Sequence, residues 1–214
     1  MKTMNTAASR QQAPTLRTIP AWTGYVGFLW AMVYAVFVRF YQAAGGKIGL
    51  PAQPEHPAGF SMASYVAGVL ILLAGFVLIA LVKPWSRVVP SRVPRIGGRK
   101  IRPGILLVPT LLCSAFAMAH GISGVITKAL SLSGFMTIHL QGWKVVDVQR
   151  LFLWDMLFYE PWFIVMGALA GLTALHYAQA SDIPPSVIKR SAVLFLGFVA
   201  ILAPLFVGAI IVLF

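Results

Sequence analysis

The stretch KPWSRVVPSRVPRIGGRKIR, residues 83–102, decides how this chain is read. It carries Lys83, Arg87, Arg92, Arg95, Arg99, Lys100 and Arg102 and no acidic residue. Before it lies an apolar run without a charge, Phe60 to Val82. After it lies a second run, Pro103 to Leu130, whose only ionisable side chains besides Cys113 are His120 and Lys128. Each run is long enough to cross a bilayer core, which takes about 20 residues. A basic loop between two such runs marks a polytopic membrane protein with that loop in the cytoplasm.

The pattern repeats outward from this loop. Lys2, Arg10 and Arg17 precede the apolar run Ala21 to Ala44, and Lys189 and Arg190 precede Ser191 to Phe214. Glu55, Asp147, Asp155 and Glu160 fall in the segments between. The expected fold is all-α, because hydrocarbon cannot satisfy open backbone groups. A cytoplasmic tail, residues 1–20, leads into a single membrane domain, residues 21–214. Its five transmembrane spans are expected at about 21–44, 60–82, 103–130, 161–180 and 191–214. The N-terminus is then cytoplasmic and the C-terminus outside, as fits a multi-pass protein of the bacterial cytoplasmic (inner) membrane. The basic start resembles a signal peptide, but the run behind it is too long and lacks a cleavage site, so an uncleaved first span is expected. No internal repeat is visible, which weighs against an inverted-repeat transporter.

Composition excludes the main alternatives. The chain is 59% hydrophobic and only 10% charged, against roughly 25% charged residues in a soluble domain. The net charge of +12 would suggest nucleic acid in a soluble protein. Here the basic residues hug the spans, so membrane lipids are the expected partner and nucleic acid is not. The single cysteine, Cys113, lies in an apolar run and has no partner within the chain for a disulfide.

The segment SLSGFMTIHLQGWKVVDVQRLFLWDMLFYE, residues 131–160, is too apolar for a solvated loop. Lys144, Asp147 and Arg150 recur every three residues, a spacing that suits an amphipathic surface helix over 144–158. In that setting Asp155 is solvated. Alternatively, span four begins near Leu151 and kinks at Pro161.

Nucleotide-binding, nucleophile-elbow and zinc-protease signatures are absent. His56, His120, His139 and His176 never stand three or four residues apart, and no cofactor or metal is expected. Ionisable residues inside spans are the remaining lead. At 1.5 Å per residue, Arg39 lies roughly 27 Å and His120 roughly 25 Å from the inner ends of their spans. Glu160 opens span four from outside. These three converge near the outer-leaflet boundary. Glu160, Asp155 and His120 are the candidate catalytic residues. Glu160 would donate or accept a proton, and His120 would shuttle one. Arg39, Tyr41, Trp154, Tyr159 and Trp162 are the candidate ligand-binding residues, Arg39 pairing with Glu160 or holding an anionic head. Trp30 and Tyr34 extend the aromatic wall. The plainer reading has Arg39 and Lys128 snorkelling to the interface, the aromatics forming interfacial belts, and Glu160 merely starting a helix. Lys128 reaches water more easily than Arg39, so loss of Arg39 is expected to harm the protein more. Gly167 and Gly171 form a small-residue pair suited to close helix packing.

Two stretches carry a resemblance. FVRFYQAAGGKIGLP in span one and FYEPWFIVMGALAGLTAL in span four resemble the bacterial multi-pass membrane family catalogued as domain of unknown function 3995. KPW followed by VP in the basic loop fits the same pattern, and the likeness covers most of residues 22–180. It departs at Gln42 or its neighbours, where the family usually has Trp. The resemblance implies a membrane fold without an assigned activity. It points to Gly45, Gly46, Glu160, Pro161 and Trp162.

The leading functional expectation is a helical bundle of unassigned activity with a pocket for a lipophilic ligand towards the outer leaflet. The ligand would be an isoprenoid or another lipophilic small molecule. The alternative is an integral-membrane enzyme acting on an isoprenoid or lipid. One form would be a terpene cyclase, with Glu160 or Asp155 as acid and aromatic faces stabilising cations. A small transporter, or a subunit bound to a membrane-protein partner, is the third reading.

Overall fold

A computed structural model describes residues 17–140, 142–145 and 147–213. Lys2 and Arg10 of the expected cytoplasmic tail lie outside the described residues. Five helices are long and apolar enough to cross a membrane: α1 (Trp22–Ala43), α2 (Pro57–Val82), α3 (Gly104–Leu132), α4 (Val148–Ala180) and α5 (Pro185–Leu213). Proline sets several of the starts. Pro57 and Pro185 open α2 and α5, and Pro103 precedes α3. A proline at the first turn gives up an N–H that has no intrahelical partner anyway.

Span four departs from expectation. Residues 144–158 do not form a separate surface helix. Lys144 lies in a short strand, and the helix that starts at Val148 runs on to Ala180. This is the alternative in which span four starts early. Asp147 caps it, its Oδ1 accepting a bond from the Arg150 N–H at 2.9 Å. Glu160 therefore does not start a helix; it stands twelve residues inside one.

α4 is the central element. It packs on α1 and α2 on one side and along the length of α3 on the other, while α5 rests mainly on α3. Small residues bring α3 and α4 together. A Cβ on Gly121 would meet the backbone at Glu160 and Ile164, and one on Gly167 would meet the backbone at Ser114 and Met118. Ser114 Oγ donates to the Gly167 carbonyl at 2.6 Å. The expected close approach at Gly167 is thus made to α3, while Gly171 also faces Ser114.

The two ends differ. At one end Leu78, Leu81, Leu107, Ala174, Tyr177 and Ile188 form a core. There the Arg87 guanidinium donates to the Ala180 carbonyl, and Gln179 binds the backbone of Arg17 and Ile19. At the other end the all-α expectation needs a small amendment. Strand β1 (Ala52–Pro54) pairs antiparallel with β2 (Trp143–Val145), placing Gln53 opposite Lys144. This clip ties the loop after α1 to the segment before α4. Beneath it Ala52, Leu151 and Phe152 are buried.

Candidate functional site

Two helices lose α-helical regularity at the same place. α1 widens to π geometry over Ala35–Phe40, and α4 does so over Asp155–Tyr159. In an α-helix, residues five apart point roughly 140° away from each other. A π turn closes from i to i+5 and returns them to one face. Both widened segments use this. In α1 it sets the Arg39 guanidinium over the Tyr34 ring, 5.5 Å from its centre. In α4 it turns Asp155 and Glu160 towards the same lysine.

That lysine is Lys128 of α3. Its Nζ lies 3.7 Å from Asp155 Oδ2 and 3.7 Å from Glu160 Oε1. The second Glu160 oxygen lies 3.6 Å from His120 Nε2. Glu160 is buried, and its carboxyl rests on Gly124, where a Cβ would collide with it. Glycine at 124 is what makes room for a carboxyl between α3 and α4. The His120 side chain, by contrast, is 46% exposed on the flank of the bundle. The network therefore runs from a buried carboxyl to a lateral surface.

An aromatic layer lies on the α1 side. Trp30 and Trp162 stack with ring centres 4.0 Å apart, and the Trp30 Nε1–H donates to the Trp162 carbonyl at 3.1 Å. Phe163 stands edge-on to both Tyr34 and His120, which links α1, α4 and α3. Phe158 packs on Trp154, Tyr159 and Trp162.

Of Arg39, His120 and Glu160, expected from the sequence to converge, the structure brings His120 and Glu160 together, and it adds Asp155. Asp155 is not the solvated acid of a surface helix; it shares Lys128 with Glu160. Arg39 does not pair with Glu160 and makes no ion pair among the described residues. Its Nε is buried without a hydrogen-bond partner. Tyr41 lies apart, where its ring closes on Gly46 and its hydroxyl accepts a long bond from the Ile48 N–H. Trp154 and Tyr159 border Gly49 of the loop after α1, where a Cβ would meet the Tyr159 hydroxyl and Trp154 ring.

Sequence reasoning missed Lys128 as the centre of the network. It also missed Gly124, because nothing in the sequence pairs that glycine with Glu160. The described residues hold no group of three or more His, Cys, Asp or Glu arranged to bind a metal ion. A buried and a half-buried carboxyl beside an ammonium and an imidazole can exchange protons or bind a polar head group. No family model, no curated protein and no solved structure matches the chain.

Proposed function

We propose that this chain is a multi-pass protein of the bacterial cytoplasmic membrane that binds a lipophilic molecule by its polar head at the Glu160 network. The observation that carries this reading is the link from the buried Glu160 carboxyl through His120 to the lateral surface. A molecule dissolved in the bilayer reaches such a site from the side. Arg39 and Lys128 offset Asp155 and Glu160 in formal charge, so a neutral head such as a hydroxyl or carbonyl fits better than an anion. The residues that carry the family resemblance, Glu160 to Trp162, lie at this same site.

The basic loop at residues 83–102 and Lys189 with Arg190 support a cytoplasmic location for their ends, with the strand clip on the opposite side. Glu160 then stands 20 residues, or about 30 Å, from the cytoplasmic end of α4, one hydrocarbon thickness away. This supports a site near the outer boundary of the bilayer. A cysteine scan tests the orientation. In a Cys113→Ser background, Ser91→Cys is expected to react with a membrane-impermeant maleimide only after the cells are opened, and Thr137→Cys in intact cells. The reverse pattern would invert the topology.

Native membrane discs test the ligand. Mass spectrometry of wild-type protein is expected to find a discrete isoprenoid or other lipophilic species that Glu160→Gln loses or retains in altered form. Bulk phospholipid alone in both proteins would sink the proposal. Chemical alteration, with turnover abolished in Glu160→Gln, would select the enzymatic form of this reading, with Glu160 and Asp155 as the acid pair. Trp30 and Trp162 stack on each other instead of lining an open chamber, which weighs against the terpene-cyclase version.

A further inference from the structure

The Glu160 network has a second way out, towards the strand clip. His120 stands 16 residues, or about 24 Å, from the Gly104 end of α3, inside a hydrocarbon layer of about 30 Å. Its exposed flank therefore meets lipid. Asp155 stands 25 residues, or about 37 Å, from the Ala180 end of α4, past that layer, and its side chain is 24% exposed. Glu160 and Lys128 lie between these two mouths, with the lysine Nζ 3.7 Å from each carboxyl. Arg39 and Tyr34 of α1 interact electrostatically with Glu160. α2 carries no charged residue, and Lys189 and Arg190 of α5 stand at the opposite end.

A cleft of about 190 Å³ opens beside the clip, enclosed by the loop after α1, strand β1 and the start of α2. It has room for several waters, each taking roughly 30 Å³ in the liquid. Gln42 lines this cleft and is only 5% exposed, and its Oε1 has no hydrogen-bond partner in the protein. Its side chain bonds the Tyr159 hydroxyl, so the amide N–H is the donor and the oxygen is left for water. An unpaired buried amide oxygen is costly when dry and satisfied when a water reaches it. Tyr159 follows Asp155 by four residues, and the Asp155 charge acts on its hydroxyl. Gly49 keeps that hydroxyl clear, since a Cβ there would lie 2.6 Å from it. Cleft, Gln42, Tyr159 and Asp155 form one polar passage from the clip side to Lys128.

We propose that Glu160 exchanges its proton with water on the clip side through Lys128, Asp155 and this cleft, while the lipophilic ligand enters from the bilayer beside His120. Only the second half rests on the ligand reading above. The Lys128 ammonium gives a proton to the Asp155 carboxylate, and the neutral amine takes the proton of the Glu160 carboxyl. Lys128 ends as it began, Glu160 becomes a carboxylate and Asp155 a carboxylic acid. Asp155 then releases its proton to cleft water held by Gln42 Oε1 and the Tyr159 hydroxyl. Reversed, the same steps reload Glu160 from the clip side.

Infrared spectroscopy of the full chain in lipid discs tests the route, by following the carboxyl stretch that Glu160→Gln removes as H2O is exchanged for D2O. Asp155→Asn is expected to slow this exchange roughly 100-fold, the lower end of what a positioned proton donor contributes. Asp155→Asn also frees Lys128 to draw closer to Glu160, so a second variant leaves the network intact. In a Cys113→Ser background, Ser61→Cys carrying a bulky maleimide fills the cleft and should slow exchange too. The same label on Phe135→Cys, exposed and outside the cleft, should not. A wild-type rate in Asp155→Asn or in labelled Ser61→Cys, or equal slowing by the label at Phe135, would overturn the passage. So would the absence, at every pH where the protein stays folded, of a carboxyl band that Glu160→Gln removes. The exchange is read on protein without added ligand, so failure to retain a ligand sinks the binding reading alone.

Discussion

Lys128→Met is expected to destabilise the protein by about 3 kcal/mol, within the range for removing one partner of a buried ion pair. The substitution keeps the length and apolar body of the side chain and removes only the ammonium. What remains is Asp155 and Glu160 on one helix face, with His120 as the nearest titratable partner of Glu160. Two carboxyls then share a poorly hydrated place without a fixed cation. Adding Asp155→Asn and Glu160→Gln to Lys128→Met should recover most of the loss, because no unpaired charge is left. The measurement is thermal melting in detergent or discs, comparing the single and triple variants. A single variant that melts like wild type would show that the lysine is solvated and the network energetically idle. Arg39→Ala should be the milder change. Arg39 has no carboxylate partner among the described residues, and its guanidinium rests on the Tyr34 ring. This reverses the order expected from depth alone.

The different partners of Lys128 and Arg39 show what a sequence can and cannot hold. Span positions were readable because hydrocarbon demands long apolar helices and the charges are confined to a few segments. The ends of α1, α2, α3 and α5 fall within a few residues of the expected limits, except that α5 starts at Pro185 instead of Ser191. α4 was misjudged at its start, because the charges at 144, 147 and 150 also suit a surface helix. In the fold the first of them belongs to a strand whose partner lies about 90 residues away. Strands of three residues leave no periodic signal.

The site was half legible for a related reason. Glu160 and His120 stood out as ionisable groups in apolar runs. The link from Asp155 to Glu160 was hidden, because helical periodicity places residues five apart on different faces. Only a π turn aligns them, and no pattern in the sequence announces one. The same holds for Tyr34 and Arg39. Two independent widenings at one level of the bundle, each aligning an i, i+5 pair, are the least ordinary feature of this fold. Their coincidence with the charged network supports a functional origin for the irregularity.

Gly121 and Gly124 separate the role of the fold from that of the site. Both lie on α3 against α4, one helical turn apart, and both are glycines in a helix interior, where alanine alone would gain about 1 kcal/mol. They face different neighbours. A methyl group on Gly121 would press on the α4 backbone at Glu160 and Ile164. Backbone in a packed helix pair cannot yield, and overpacking costs about 1–3 kcal/mol. Gly121→Ala should therefore lower the melting temperature despite its better helix propensity. A methyl group on Gly124 would first meet the end of the Glu160 side chain. That carboxyl can rotate away while Lys128 keeps Asp155, so Gly124→Ala should lose less stability than Lys128→Met, about 1 kcal/mol of helix propensity offsetting part of the lost Glu160 contacts. It would leave Glu160 displaced from His120 and Lys128, and the retained lipophilic ligand should be lost as in Glu160→Gln. Ligand retention in Gly124→Ala at the wild-type level would mean that binding does not run through the Glu160 carboxyl, whatever Gly121→Ala does to stability.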